Sequence, residues 1–374
     1  MNPKRIAVVL GVLPTVAMAD VTLYGALKGD VEYNDVTGLP GQAKVQDDTS
    51  YIGFKGSEEI GNGLKSIWQV ENRIHIGGTG EDGFGSRQTF VGLDGGDLGI
   101  IRIGYLNNGF NDQYSVDQWS YNGNVNTHSP QISGANGLAV FTNSGDRVRN
   151  AVRYDSAIFH GLSASVSYGF GENRSKDIPS SSDIANLGLN YAYGSALGVH
   201  YVYQRENNPD QPNTFPGGLF PEDSVKPASK SLIEVDYDDD SLFVSGAYQW
   251  SIGYDWSDDF AGDGLLTYGG ESAPQLQLKA RQAALSLGYA LGVVTPRLSV
   301  ARGWNLQNAG GSIPQSGYSQ YVFGVDYAFS KRTTTGFSFG GLKFEQNTAS
   351  AVNINNGVSP VWLRTVGVFL STDF

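Results

Sequence analysis

No cysteine occurs anywhere in the 374 residues, which excludes a disulfide framework and thiolate metal sites. Methionine is nearly absent, at two. Beyond residue 19 the chain has no run of eighteen apolar residues, so no transmembrane helix is expected. A membrane crossing by strands remains open, because short alternating strands leave a much weaker hydropathy signal. His75, His128, His160 and His200 are scattered, with no H-x-x-H or H-E-x-x-H spacing, and neither a metal nor a cofactor is expected. Positive charge is also in deficit. Lys and Arg number 25 against 37 Asp and Glu, a formal net of −12, which argues against a nucleic-acid partner.

What is abundant points one way. The chain has 50 Gly, 20 Tyr, 18 Phe and 6 Trp, the composition of many strands and turns. Its start, MNPKRIAVVLGVLPTVAMA, has Lys4 and Arg5, an apolar run from Ile6 to Leu13, and the small-x-small end Ala17-Met18-Ala19. That is the pattern of a secretory signal peptide over 1–19, leaving residues 20–374 as the mature chain.

From residue 20 onward the pattern alternates with period two, the signature of strands with two different faces. Val21, Leu23, Leu27, Val31 and Tyr33 alternate with Tyr24, Ala26, Lys28, Asp30 and Glu32. Leu162, Ala164, Val166, Tyr168 and Phe170 alternate with Ser163, Ser165, Ser167 and Gly169. Sixteen such segments are expected: 21–33, 50–57, 63–74, 87–94, 99–105, 147–155, 161–170, 186–193, 197–205, 231–238, 241–251, 280–290, 294–303, 319–329, 333–344 and 361–374. The connections between them alternate short and long, seven short and eight long. A soluble sandwich rarely keeps that rhythm. A transmembrane barrel does, with short turns on one side, long loops on the other and an even strand count. Lipid cannot satisfy an exposed sheet edge, so such a sheet must close. The expected fold is therefore all-β, a sixteen-stranded antiparallel transmembrane β-barrel. Its apolar face meets lipid, and its polar face lines a bore wide enough to hold water. An alternating last segment ending at Phe374 fits this picture.

Several blocks resemble a known family. DVTLYG at 20–25, IGFKGSEEIGNGLKSIWQVEN at 52–72, RQTFVGL at 87–93, VRYDS at 152–156, VTPRLS at 294–299 and DYAFSKRT at 326–333 are similar to the neisserial-type general porins of Gram-negative β-proteobacteria. They follow one another in order across the mature chain. The resemblance implies a homotrimer in the outer membrane, with outer-membrane lipid and lipopolysaccharide around it. It implies a third loop folded into the bore, and passive diffusion of ions and small hydrophilic solutes. Where the family often has Arg before the Leu-Asn that opens this loop, the present chain has Tyr105 in IGYLNN.

The residues themselves suggest where a pore field would arise. The long connection 106–146 carries few acids, among them Asp112 and Asp117. The segment that follows reads RVRNAVRYD; placing Val148, Val152 and Tyr154 toward lipid puts Arg147, Arg149 and Arg153 in the lumen. An arginine on the lipid face near the midplane costs about 2–4 kcal/mol. Lys28, Lys55, Lys65, Arg73 and Arg102 fall on inward faces by the same alternation. A basic wall facing a loop with carboxylates would order water and set an ion preference, here weakly toward anions. Most aromatics fall on the outward faces, which favours a general channel over a solute-specific one. A barrel enzyme has no support in the spacing. Gly78-x-Gly80-x-x-Gly83 lacks the helix a dinucleotide site needs. Gly336-x-Ser338-x-Gly340 lies within an alternating strand rather than at a strand-to-helix turn.

Overall fold

The computed structural model describes residues 20–78, 83–112, 116, 147–171, 182–207, 226–254, 267–268, 271–272, 276–347 and 361–374. The expected leader 1–19, Asp117 and most of the long connection 106–146 lie outside these. Sixteen strands close into an antiparallel barrel. In chain order they are Asp20–Val36, a second strand in two pieces (Gln42–Asp47 and Tyr51–Gly61), Leu64–Arg73, Thr89–Asp94, Ile100–Asn107 and Arg147–Asp155. The seventh to eleventh are Leu162–Gly169, Ile184–Tyr193, Leu197–Glu206, Ala228–Asp238 and Leu242–Ile252. The twelfth to sixteenth are Lys279–Tyr289, Val294–Gly303, Tyr318–Ala328, Thr333–Phe344 and Trp362–Asp373. All sixteen expected segments are present, with ends shifted by a few residues.

Each strand pairs with its sequence neighbour, and the first pairs with the last. Ala26 to Val36 run antiparallel to Asp373 to Leu363. At the lower end of this seam Gly25 and Phe374 exchange both backbone hydrogen bonds, at 3.1 and 3.0 Å. A Cβ at Gly25 would sit 2.5 Å from the Tyr51 carbonyl oxygen and 2.7 Å from the Phe374 ring, so the close approach requires glycine there.

The burial pattern inverts that of a soluble protein. Val31, Ile103 and Val368 on the outer face are more than half exposed, whereas Glu234, Ser286 and Ser299 on the inner face are fully covered. With no water in hydrocarbon, the outer residues are solvated by lipid, and closure leaves no unpaired edge. Aromatics collect near the strand ends on the outer face. Tyr154, Tyr191, Tyr193, Tyr237, Tyr289 and Tyr327 stand near the short turns, and Tyr248, Trp250 and Trp304 near the long loops, as in the aromatic girdles of membrane barrels. Among the described residues no helix is long and apolar enough to span a membrane.

Three departures from period-two expectation shape the bore. The first connection holds a strand, Gln42–Asp47, that continues the second strand upward. The break between its pieces is stitched by Ser50, whose Oγ accepts from the Lys28 N–H at 2.8 Å and donates to the Lys28 carbonyl at 3.1 Å. A bulge follows Arg87: the Arg87 N–H donates to the Glu71 carbonyl while the Gln88 carbonyl accepts from the Glu71 N–H, so two residues oppose one. A second bulge lies at Asn150 (φ 50°), where the register passes from Leu106↔Val148 to Gly104↔Ala151. Short hairpins also occupy two long connections, Thr267–Tyr268 with Glu271–Ser272 and Gln307–Asn308 with Gly311–Ser312.

Candidate pore lining

The inner wall of the first six strands is charged. Tyr24 donates its hydroxyl to Glu71 Oε1 at 2.9 Å, and Gln69 donates to the same oxygen at 3.1 Å. Lys55 Nζ lies 4.9 Å from the centre of the Tyr24 ring, a cation over an aromatic face. Arg87 stacks on Tyr51 at 4.8 Å, with Nε 3.7 Å from Glu71 Oε2. Arg73 Nε stands 3.7 Å from Asp47 Oδ2. Lys28, Lys55 and Lys65 take part in no ion pair among the described residues; Lys65 is flanked in register by Glu59 and Asp94. Asp30 and Glu32, by contrast, are almost wholly covered within the wall. Glu32 accepts from Asn34 Nδ2 at 2.8 Å and from Gln46 Nε2.

The three arginines of 147–155 do not form one stripe. By register Val148, Ala151 and Arg153 share the inner face with Leu106, Gly104 and Arg102. Val148 accordingly packs with Leu106 and Ala151. Arg149 lies over the Tyr105 ring at 5.7 Å, on the other face, and Arg147 pairs in register with Asn107 at the rim. The expectation that Arg147, Arg149 and Arg153 all point inward is thus corrected at Arg149: the extra residue at Asn150 shifts the phase by one.

Arg153 is 4 % exposed and fully engaged. Its Nε and Nη2 donate to Asp155 Oδ1 at 2.9 and 2.7 Å, and its Nη1 donates to the Asn107 carbonyl at 2.9 Å and to Asp112 Oδ2. Arg102 Nη2 reaches Asp155 Oδ2 at 2.5 Å. A planar fork with several donors suits such a hub. It ties the barrel wall to the chain just past the fifth strand, where Gly109–Asp112 makes one helical turn.

That turn reaches across the inner wall toward the ninth and tenth strands. Asn108 Nδ2 donates to Gln204 Oε1 at 3.1 Å. Phe110 is fully buried beneath Lys230 Nζ, 4.6 Å from its ring centre. Phe110 and Val116 join a cluster with Val202, Leu232 and Ala247, inward-facing residues of the ninth, tenth and eleventh strands. The entry to the long connection is therefore held inside the bore at both ends of this span, by ions on one side and by apolar packing on the other.

From the seventh strand on, the wall is mostly small and neutral. Ser165, Ser167, Asn186, Ser245, Gln249 and Gln282 are typical. Its few charges are locally matched. Arg297 Nε donates to both oxygens of Asp326 at 3.0 Å; a Cβ at Gly324 would meet that guanidinium at 2.5 Å, so glycine makes room for it to lie flat. His200 bridges Asn190 Oδ1 at 2.7 Å and Asp236 Oδ1 at 2.6 Å.

Sequence reasoning missed Arg87, Arg297 and the tether formed by Arg153. Arg87 is hidden by its bulge, since alternation from Thr89 puts it outside. Beyond Asp155, the partners of Arg153 that make the tether are 41 and 46 residues away in sequence, so no local signal announces them.

Residues 7–348 match the family described as Gram-negative porin. The chain is 34% identical to the major outer membrane protein P.IB of Neisseria meningitidis strain H44/76 over 353 residues, covering 92% of this chain and 94% of that protein. It is 35% identical to the P.IB protein of Neisseria gonorrhoeae over 389 residues, covering 97% and 99%. Among solved structures, it superposes on an anion-selective porin from Comamonas acidovorans with TM-score 0.69 at 21% identity, covering 95% of this chain and all of that one. The trimer form of OmpT from Vibrio cholerae superposes with TM-score 0.58 at 14% identity, covering 95% and 99%.

Proposed function

Because the chain belongs to the Gram-negative porin family, an outer-membrane barrel whose water-filled bore passes ions and small hydrophilic solutes, we propose that this channel is weakly anion-preferring and narrowed by 106–146 folded into the bore. The signal peptide 1–19, the homotrimer, contact with outer-membrane lipid and lipopolysaccharide, and the absence of catalysis belong to the same proposal. The solved neighbours include an anion-selective porin and a trimer, which fit it.

One observation carries the selectivity reading. Lys28, Lys55 and Lys65 face the bore outside any ion pair, while Asp30 and Glu32 are covered within the wall. With Glu59 and Asp94 set beside Lys65, the uncompensated positive charge that mobile ions meet on this side is centred on Lys28 and Lys55. Arg73 and Arg102 add to the field in part, and Arg153 serves as the tether. Asp112 is committed to Arg153 and contributes little free negative charge. Fixed charges at a constriction set ion preference without blocking flow.

The test is single-channel recording of purified protein in a planar bilayer, with the reversal potential measured across a KCl gradient. Large steps with a reversal potential of the anion-preferring sign are expected. A clearly cation-selective reversal would overturn the selectivity reading. Absence of any conductance from folded protein would overturn the open bore.

A further inference from the structure

The outer face of the last three strands holds a compact basic notch at the long-loop end. Two adjacent rows build it. In one row Tyr321, Gly341 and Arg364 stand directly opposite one another across the fourteenth, fifteenth and sixteenth strands. In the next row, one step toward the loops, Lys343 stands opposite Trp362. Gly341 leaves a gap into which the Tyr321 hydroxyl leans: a Cβ there would meet that oxygen at 2.8 Å. Lys343 Nζ and Arg364 Cζ flank the Trp362 ring, at 5.2 and 5.0 Å from its centre. Two cations are thus gathered on one indole, with a phenol hydroxyl beside them.

The charges of this notch are only partly answered from within. Arg364 Nη1 is 3.6 Å from Asp35 Oδ2, with both side chains about half exposed. Lys343 takes part in no ion pair, and the Tyr321 hydroxyl in no hydrogen bond, among the described residues. The chain as a whole is acidic, so a local excess of positive charge on this face runs against its composition. Two cations and a hydroxyl donor at cross-strand spacing suit a tetrahedral oxyanion, which accepts several charge-assisted hydrogen bonds at once.

What lies below the notch selects the form of that oxyanion. Phe339, Phe337, Val366 and Val368 continue the same face downward as an exposed apolar strip. A free phosphate would use the notch alone, whereas a lipid would place its headgroup there and its acyl chains along the strip. We propose that Lys343, Arg364, Tyr321 and Trp362 form a binding site for the phosphomonoester headgroup of an outer-leaflet lipid. The site deepens the lipid contact proposed above, and rests on it.

The experiment uses the full folded protein in neutral detergent, with bound lipid counted by native mass spectrometry. The probes are dioleoyl phosphatidic acid, dioleoyl phosphatidylcholine and inorganic phosphate. Phosphatidic acid should bind, phosphatidylcholine should bind much more weakly, and inorganic phosphate at equal concentration should not displace the lipid. The double variant Lys343→Gln with Arg364→Gln should lose phosphatidic acid by about ten-fold or more. Lys343→Arg with Arg364→Lys should keep most of it. Lys279→Gln with Arg281→Gln, on the outer face of the twelfth strand, should leave it unchanged. Equal loss in this control, undiminished binding in the first variant, or equal binding of phosphatidylcholine would overturn the proposal. Displacement by inorganic phosphate would reassign the notch to a free oxyanion. Should the double variant not fold, Lys343→Gln alone gives the same test with a smaller loss. Conductance in neutral lipid is read in parallel: a channel that conducts normally yet binds no phosphatidic acid sinks this site and leaves the porin reading standing.

Discussion

The two halves of the inner wall solve the same problem differently. Strands one to six carry lysines, arginines and carboxylates into the bore. Strands seven to sixteen carry serine, asparagine, glutamine and alanine, with charges matched locally as in Arg297 with Asp326. The entry to the long third loop is seated on the second wall through Phe110 and Val116, and is anchored to the first through Arg153. Phe110 and Val116 thus lie against the neutral half, while the ion pair of Asp112 is made to the charged half. The comparison teaches that charge in this bore serves two ends. Charge engaged at short range, as at Arg153, fixes the architecture. Charge outside any ion pair, as at Lys28 and Lys55, is what the proposed ion preference rests on.

The comparison can be broken most severely at its joint. Arg153→Ala strands Asp112 and Asp155 in a covered site, and removing one partner of such a pair costs about 3–5 kcal/mol. The expected result is a lower thermal transition by circular dichroism, with larger and noisier unit conductance as the loop entry comes loose. An unchanged conductance would show that the loop is held elsewhere. Phe110→Ala tests the other attachment. Truncating a fully buried Phe costs about 3–5 kcal/mol at most, less here because one helical turn can resettle, and the conductance change should resemble that of Arg153→Ala in kind. The contrast between halves is sharpened by charge removal. Lys28→Gln, Lys55→Gln and Lys65→Gln together should move the reversal potential toward cation preference, with little change in thermal transition. Gln249→Ala, Gln320→Ala and Ser338→Ala on the neutral wall should leave it where it was.

The smallest effect lies at a short turn outside the membrane. Asp239 Oδ1 accepts from the N–H groups of Leu242 at 2.8 Å and Ser241 at 3.1 Å, and Oδ2 from the Tyr237 hydroxyl at 2.9 Å. These donors, the Leu242 N–H foremost, hold its carboxyl below the usual carboxylate range. A depressed folded pKa adds stability that is full above the unfolded value of about 3.9 and is lost as pH falls through the folded one. Asp239→Asn should flatten that last part of the acid melting profile and leave conduction at neutral pH alone. An identical acid profile in the variant would remove the turn from the account.

The barrel was legible in the sequence because lipid and water impose opposite demands on the two faces of every strand. Alternation in Val21 to Tyr33 or in Leu162 to Phe170 needs no partner to be read. The pore lining was legible only as far as the phase held. Lys28, Lys55 and Arg102 follow the alternation. Arg87 and Arg149 do not, because an inserted residue reverses the faces beyond it and leaves no mark in composition. The strand Gln42–Asp47 hid in a connection rich in polar residues. The seating of Phe110 on Val202 and Leu232 joins residues about ninety or more apart, which a pattern of neighbours cannot report.

The seam between the first and last strands has a kinetic meaning. Thr37 and Trp362, which exchange hydrogen bonds beside it, are 325 residues apart in the chain. One edge of the first strand therefore finds its partner only across a separation of 325 residues. Closing so long a loop is slow, since its entropy must be lost before any contact of the seam repays it. Until then the open edge can pair with any passing strand. The time for which that edge is open to mispairing is therefore set by the closing of the seam.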